Sequence, residues 1–190
     1  MSSTQTSSIQ SEIWRVVASL DDLPAAPMRG HRMDELATFF KALHLRNGKE
    51  RQSAETGIWT IWCDHGDVQA KSDLKRGIEL ITSGNLHAAM PIFDALTETC
   101  PIWAEPWNKR ATLHFLLGQD SASVRDIYAV LNLEPRHFGA LGGLAQICLR
   151  NDARDAACDV LRCLLDVHPS AQGVAEMLSA LDGGPSQTMH

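Results

Sequence analysis

The sequence predicts an all-α protein in which helical hairpins stack side by side into a solenoid. Three prolines recur at one constant spacing, thirty-four positions apart: Pro101, Pro135 and Pro169. The residues seventeen positions before each proline keep the same step: Gly84, Gly118 and Asp152. Two apolar columns follow it as well: Phe93, Ile127 and Leu161, then Leu96, Val130 and Leu164. Fixed periods of this length are typical of repeat proteins, whose units bury a continuous core by stacking on one another.

Each unit is predicted to contain two helices joined by a turn. In the second unit, Trp107 and Ala111 lie at helical spacing until Gly118 interrupts the pattern. A second apolar stripe around Ile127 ends before Pro135. Glycine accepts the positive φ that a tight turn requires, and proline cannot continue a helix, so both residues stand where a helical hairpin needs them.

These residues resemble the tetratricopeptide repeat (TPR) family, whose repeat unit has the same period and consists of helix, turn and helix. The matching positions hold a large residue, small residues, the turn glycine and the closing proline: Trp107; Gly77, Ala111 and Ala145; Ala89, Ser123 and Ala157; Gly84 and Gly118; Pro101, Pro135 and Pro169. The resemblance implies TPR 1 at 70–103, TPR 2 at 104–137 and TPR 3 at 138–171. The segments WNKRATLHFLLG and LEPRHFGALGGL are similar to a group of bacterial TPR proteins of unassigned function.

The chain departs from the family pattern at three positions. Asp73 stands where the first repeat should have a large residue, and Asp152 replaces the turn glycine of the third repeat. Pro91 falls inside the second helix of the first repeat, where it should bend that helix or delay its start.

A degenerate helical hairpin is predicted before the repeats, at 33–69. Two amphipathic segments lie there, and Trp59 and Trp62 stand one full repeat step before Phe93 and Leu96. We interpret this hairpin as a diverged repeat that has kept its buried columns. It would cover the apolar face that a solenoid otherwise exposes at its end.

The remaining segments are predicted to be a capping helix and flexible ends. The capping helix spans 172–182, has Ser170 as its N-cap, and carries four apolar residues on one face: Val174, Met177, Leu178 and Leu181. The polar segment 1–32 is expected to be flexible apart from a short helix at 11–20, and 183–190 is expected to be a disordered tail.

Composition argues against several classes of function. The chain has 190 residues with 17 basic and 23 acidic side chains and a net charge of −6, so nucleic acid or an anionic membrane is not expected as the partner. Its early apolar run is too short to span a bilayer and lacks the pattern of an export signal. The five cysteines include no C-x-x-C pair. We therefore expect reduced thiols and a cytoplasmic location.

No catalytic residue, metal or cofactor is predicted. The chain lacks G-x-S-x-G, H-E-x-x-H and glycine-rich phosphate-binding patterns. Cys63, Asp64, His65 and Asp67 crowd together, but their spacing matches no recognised ligand set. We favour a helix end and polar turn there, and an enzyme with a metal at this cluster is the less favoured alternative. We interpret His114 as a hydrogen-bonded core residue.

The resemblance implies a concave groove, lined by the first helix of each repeat, that binds a peptide or helix of another protein. The side chains implied to bind it are Lys71, Lys75 and Ile78; Asn108, Lys109, Thr112 and Phe115; and Gln146 and Arg150. Basic residues outnumber the single acidic residue, Glu105, in the groove positions, whereas Asp94 and Asp126 fall on second helices, on the convex side. We therefore expect a non-catalytic scaffold or adaptor whose partner is acidic.

One particular TPR activity is not expected. The carboxylate clamp that grips chaperone tails requires lysine, asparagine and arginine side chains at five groove positions. Those positions hold Leu74, Ile78, Lys109, Gly139 and Gly143.

Self-assembly is the alternative function, in which the N-terminal hairpin packs on a second copy to form a homo-oligomer. A contiguous exposed apolar patch would favour this alternative over a peptide-binding groove. The residues whose exposure decides between them are Trp14, Trp59, Trp62 and Trp103.

Overall fold

The computed structural model describes residues 3–23 and 32–183, which form ten α-helices and, after the first of these, one turn of 3-10 helix at Leu20–Asp22. The α-helices are α1 (Ser3–Ser19), α2 (Met33–Leu43), α3 (Gly48–Trp62), α4 (Val68–Thr82), α5 (Leu86–Thr99), α6 (Ala104–Leu116), α7 (Asp120–Leu133), α8 (Phe138–Arg150), α9 (Arg154–Val167) and α10 (Val174–Asp182).

Three antiparallel hairpins form the array, α4–α5, α6–α7 and α8–α9, and each packs on the next. The second helices of the three hairpins begin at Leu86, Asp120 and Arg154, which keep the spacing of the closing prolines. The all-α solenoid predicted from the period is confirmed. Pro91 does not delay the start of α5, because it lies well inside that helix.

The first helix of the array begins two residues before the predicted boundary at 70. The carboxylate of Asp67 accepts hydrogen bonds from the backbone N–H groups of Gln69 and Ala70, at 2.7 and 3.1 Å. An N-cap of this kind satisfies donors that the first turn of a helix leaves free, so α4 begins directly after it.

The turns inside the hairpins use the left-handed backbone region at equivalent positions. Gly84 and Gly118 have φ values of 78° and 73°, and Asp152 has a φ of 56°. Aspartate tolerates this region better than most residues with a side chain, but it still loses free energy relative to glycine. The third turn therefore keeps its geometry without the glycine of the other two.

A network centred on Arg110 joins the first two hairpins. Its guanidinium group bonds both carboxylate oxygens of Asp126 at 2.8 Å, the carboxylate of Asp94 at 3.1 Å and the hydroxyl of Thr97 at 2.8 Å. These hydrogen bonds, led by those to Asp126, raise the pKa of Arg110. Asp126 lies on α7, a second helix as predicted, but this ion pair buries its carboxylate.

The N-terminal helix α1 covers the second helices of the last two hairpins, α7 and α9. It begins at Ser3, so the prediction that 1–32 is flexible apart from a helix at 11–20 is wrong for this part. The reason is an apolar stripe, Ile9, Ile13, Val16 and Val17, which the packing buries. Burial of such a stripe stabilises a helix even where the intervening residues are serine and glutamine.

The helices α2 and α3 form a hairpin, but they do not extend the array as a preceding repeat. The two tryptophans of α3 pack on the beginning of α8: Trp62 stacks on His137 with ring centroids 4.0 Å apart, and Trp59 meets Phe138 edge to face at 5.2 Å. The indole N–H of Trp103 donates to the carbonyl of Trp62 at 2.7 Å. Trp62 is buried as predicted, but the interpretation of the hairpin as a repeat stacked before the array is wrong, because its tryptophans pack on α8.

The C-terminal helix α10 packs on α9, as a cap of the array should. Its N-cap is Gly173 with a φ of 74°, so the assignment of Ser170 as N-cap is wrong. Val174, Leu178 and Leu181 contact the core, whereas Met177 is exposed. The predicted linker between α1 and α2 lies largely outside the described residues, as does the predicted tail after residue 183.

No helix in the described part of the chain is both long enough and apolar enough to cross a membrane.

We expect the turn positions to respond oppositely to substitution. Gly118→Ala should lower the free energy of unfolding by about 1–2 kcal/mol, because alanine at this positive φ is strained. Asp152→Gly should raise it by up to about 1 kcal/mol, less than the full strain because glycine also increases the entropy of the unfolded chain. Urea unfolding followed by circular dichroism measures both values, and a loss of stability in Asp152→Gly would contradict the assigned strain.

Candidate functional site

A cavity of about 250 Å³ opens between α6 and α8, the first helices of the second and third hairpins. We call the side of the array formed by these first helices the concave face. The lining of the cavity comes mainly from one face of each helix: Asn108, Ala111, Thr112 and Phe115 on α6, and Phe138, Gly139, Gly142, Gly143 and Gln146 on α8. Ser123 and Ile127 of α7 also contribute to the lining.

The cavity exists because α8 carries three glycines on one face. Residues three and four apart lie on the same side of a helix, so Gly139, Gly142 and Gly143 leave a strip without side chains. A Cβ atom added at Gly142 would meet no atom within 4 Å, and one at Gly143 would meet only Ile127, at 3.7 Å. The bare strip provides room for an occupant close to the backbone of α8.

The cavity combines apolar walls with a few polar groups. Phe115 is half-buried on one side and Phe138 is buried on the other. The amide of Asn108 is buried in the wall, and the amide of Gln146 is exposed at the rim. Such a mixture of apolar surface and few oriented polar groups is typical of ligand sites in proteins.

The opposite end of the concave face holds a buried charge cluster. The carboxylate of Glu105 is fully buried, lies 2.8 Å from Nζ of Lys109, and lies 3.0 Å from Nε2 of His137. Nδ1 of His137 accepts a hydrogen bond from the backbone N–H of Ala140 at 3.1 Å. Nε2 therefore carries the proton and donates to Glu105.

These partners determine the ionisation of Glu105. Burial by itself raises the pKa of Glu105, but the hydrogen bond from His137 and the charge of Lys109 outweigh burial and hold the pKa below its ordinary value. Glu105 is therefore a buried anion at neutral pH, neutralised within the array.

The hairpin α2–α3 roofs this cluster. Trp62 covers the ring of His137, and Nζ of Lys109 lies 5.2 Å from the ring centroid of Trp59. Farther along α3, the carboxylate of Glu55 lies 3.5 Å from Nε2 of His168, which follows α9. One end of the concave face is thus covered by the chain itself, and the cavity lies in the part that stays open.

The structure brings only four of the predicted binding residues together around the cavity: Asn108, Thr112, Phe115 and Gln146. The three predicted on α4 do not line it. Nζ of Lys71 pairs with Asp64 at 2.8 Å, Lys75 is exposed with its Nζ 3.9 Å from Glu79, and Ile78 packs against the core of the first hairpin.

The predicted cations of α6 and α8 are also held by other side chains. Lys109 pairs with Glu105 beneath α3. Arg150 bonds Asp120, donates to the carbonyl of Phe115 at 3.0 Å, and lies 3.7 Å from the ring centroid of Phe115. The expectation of a positively charged groove is therefore wrong, because intramolecular carboxylates neutralise three of the four cations on which it was based.

The sequence interpretation missed Glu105, His137 and His168 as organising residues. Glu105 was counted as a minority charge in the groove, and neither histidine formed part of a recognised motif. The two histidines share a position beside a closing proline: His137 follows Pro135 where α8 begins, and His168 precedes Pro169 where α9 ends. The sequence spacing does not show that these histidines lie close to α3, because that proximity arises only in the tertiary structure.

The cluster around Cys63 is a helix end and a polar turn, as favoured from the sequence. Cys63 follows the last residue of α3, and Asp67 caps α4. Burial raises the pKa of the Cys63 thiol to about 11 and that of Cys148 to about 12, so both are protonated at neutral pH. Within residues 3–23 and 32–183, no three histidine, cysteine or carboxylate side chains are grouped to hold a metal ion.

Two further sequence expectations concern the carboxylate-clamp positions and the tryptophans named for self-assembly. At the carboxylate-clamp positions, Leu74 is buried and Gly139 lies beneath Trp59, with a would-be Cβ 2.8 Å from its Cη2 atom. Among the four tryptophans proposed to decide on self-assembly, Trp62 and Trp103 are buried and Trp14 is exposed. The tryptophans thus give no contiguous patch in favour of an oligomer.

Removal of the buried anion should destabilise the protein in a pH-dependent way. Glu105→Gln should lower the free energy of unfolding by about 2 kcal/mol at pH 7, because Lys109 and His137 lose a charged acceptor. Since the pKa of Glu105 is lowered on folding, its contribution is present above the ordinary glutamate pKa and is lost as pH falls through the folded value.

Urea unfolding at pH 7 and at pH 3 measures this effect. The difference between native protein and Glu105→Gln should shrink at pH 3, and a difference independent of pH would contradict the assignment. Glu79→Gln is the control, because Glu79 is exposed and lies 3.9 Å from Lys75, and it should change stability little at either pH.

Comparison with known proteins agrees with the repeat architecture. No family model matches the chain. A TPR repeat-containing protein of Rhizobium etli is 31% identical over 150 residues, which are 79% of this chain and 72% of that protein. Among solved structures, the first TPR of Spaghetti (RPAP3) bound to HSP90 peptide SRMEEVD superposes with a TM-score of 0.57 and 16% identity.

That superposition covers 62% of this chain and 94% of the other, and it concerns the fold. The sequence relative carries the assignment of family, because its similarity extends over most of both chains. The helices α4 to α9, their constant repeat step and their turn geometry agree with it. The chain therefore belongs to the TPR repeat-containing proteins.

Proposed function

We propose that this protein is a non-catalytic binding module that holds an extended peptide segment of another protein in the cavity between α6 and α8. The observation that carries the proposal is the bare glycine strip of α8, which leaves an open space of about 250 Å³ against a helix backbone. That volume suits a single large side chain of a peptide together with its backbone.

The chemistry of the walls favours an apolar anchor residue. An aromatic or aliphatic side chain entering over Gly142 contacts Phe115 on α6 and Phe138 on α8. The amide of Gln146 can donate to and accept from a peptide backbone beside the anchor. The amide N–H of Asn108 is already donated to Glu105 at 3.3 Å, so Asn108 offers its oxygen as an acceptor. Burial of the anchor supplies most of the affinity in this arrangement, and the amides orient the chain.

The proposal does not depend on an acidic partner. Lys109 and Arg150 pair with Glu105 and Asp120 and do not line the cavity, so acidic groups on the peptide gain little there. The related fold in Spaghetti is bound to the peptide SRMEEVD, which carries acidic residues. In this chain the carboxylate-clamp side chains are missing, and the anchor is expected to differ accordingly.

Filling the cavity should abolish peptide binding without unfolding the protein. Peptides selected from a random display library on the native full chain serve as probes, and Gly142→Leu projects a side chain into space that is otherwise open. The selected peptides should bind Gly142→Leu at least about tenfold more weakly, because an anchor loses its contacts with Phe115 and Phe138. Fluorescence anisotropy measures the affinities.

The matched control is Ala88→Leu, which adds the same side chain at an exposed position of α5, a second helix. Its affinity for the selected peptides should equal that of the native protein. Equal binding to Gly142→Leu and the native protein would contradict the proposed site.

A further inference from the structure

The end of the concave face that α3 covers has a shape and a chemistry of its own. We call it the α3-docking face and define it by Glu105 and Lys109 on α6 and by His137, Phe138 and Gly139 at the beginning of α8. Trp59 and Trp62 of α3 supply the aromatic contacts to it.

The α3-docking face is complete without α3. Glu105 lies 2.8 Å from Nζ of Lys109 and 3.0 Å from Nε2 of His137, and accepts from Asn108 at 3.3 Å; all four residues belong to the array. The orientation of the His137 ring is determined by the N–H of Ala140, also within the array. Departure of α3 would expose these groups but would leave their mutual partners in place.

The face is shaped to receive an aromatic ring. A Cβ atom at Gly139 would lie 2.8 Å from Cη2 of Trp59, so the absence of a side chain there is what lets the indole approach α8. His137 offers a flat ring to Trp62, with an interplanar angle of 10°, and Phe138 offers an edge-to-face contact to Trp59. Each aromatic pair contributes beyond the area that it buries.

The helix α3 has a low intrinsic helix propensity. Its sequence, GKERQSAETGIWTIW, contains two glycines and several threonine, isoleucine and tryptophan residues, all poorer helix formers than alanine or leucine. Its outward face is polar and exposed, at Gln52, Ser53, Thr56 and Thr60. The order of such a helix depends on packing of its buried face, which includes Ile58, Ile61 and Trp62.

We propose that the α3-docking face is a second protein-binding surface, held in the closed state by α3, whose partner is an amphipathic helix with two aromatic residues three positions apart. The partner helix displaces α2–α3 by reproducing its contacts. This surface adjoins the cavity between α6 and α8 and shares Phe138 and Gly139 with it. Its use does not require the cavity to bind a peptide.

The contacts of α3 define the features expected in the partner. Its first aromatic residue takes the place of Trp59 against Phe138 and Gly139, and its second takes the place of Trp62 on His137. A glutamate four residues before the first aromatic residue takes the place of Glu55 beside His168. Residues at these spacings lie on one face of a helix.

While α3 occupies the α3-docking face, a partner helix must compete with it to bind. A segment tethered in the same chain competes at an effective concentration in the millimolar range, which no free peptide at micromolar concentration matches. Binding in trans is therefore weak until the hairpin is released or the partner binds more tightly than α3 does.

A fluorescently labelled peptide of α3, residues 48–62, is the probe for this surface. It is titrated against the native full chain and against the full-length double variant Trp59→Ala with Trp62→Ala, which removes the aromatic contacts of α3 to Phe138 and His137. The double variant should bind the peptide at least about tenfold more tightly than the native chain does, because the competing segment has lost its aromatic contacts. Failure of the folded double variant to bind the peptide would overturn the proposal.

Two glycine substitutions on α8, each made in the double variant, distinguish this face from the cavity. Gly139→Ala places a Cβ atom within the volume of the incoming ring and should weaken peptide binding about tenfold. Gly142→Ala meets no atom within 4 Å and should leave the affinity unchanged. Equal effects of the two would overturn the assignment of the surface, whatever the outcome for peptides selected on the cavity.

Hydrogen exchange on the native chain provides a second measurement, which decides the matter if the double variant does not fold. Amides of α3 should exchange by local opening, at least about tenfold faster than the buried amides of α8 and α9. Exchange of α3 at the same rate as α8 and α9 would show that the hairpin opens only with global unfolding, and the proposal would then be wrong.

Discussion

The arrangement of the concave face depends on one buried ion pair and its hydrogen bond. Glu105 is fully buried, and it is tolerated there because Lys109 and His137 lie 2.8 and 3.0 Å from its carboxylate oxygens. This contact joins the beginning of α6 to the beginning of α8, and it holds His137 as the flat surface on which Trp62 stacks. A buried anion without these partners would cost several kcal/mol, so the stability of this end and its ability to bind α3 have a common origin.

The glycine strip of α8 divides the concave face into two surfaces with different properties. At Gly139 the missing side chain is replaced by the indole of Trp59, which belongs to the same chain. At Gly142 and Gly143 the space stays open between Phe115 and Phe138. One helix thus supports an internally occupied aromatic site and an empty apolar cavity, because a backbone without side chains accepts close approach from whatever group can reach it.

The candidate site was predictable from the sequence only in part. The residues Asn108, Thr112 and Phe115 follow from the register of the repeat, which sets the face of α6 that points inward. The charge of the groove could not be predicted from the register of the repeat. A lysine or arginine is neutralised by any carboxylate that the fold brings close to it. Arg150 meets Asp120 across 30 positions of sequence, a pairing that depends on how two hairpins pack.

The repeat period determines the architecture of residues 68–167, because each hairpin buries its apolar columns only against a neighbouring hairpin with the same spacing. Helix lengths, turns and stacking order could therefore be inferred before any coordinates. The placement of α1 and of the α2–α3 hairpin could not be inferred from the sequence. Their apolar stripes indicate that one face of each helix is buried, but they do not indicate which element packs against that face. Packing of Trp59 and Trp62 on His137, Phe138 and Gly139 resolves that choice through shape and ring contacts, which no local pattern encodes.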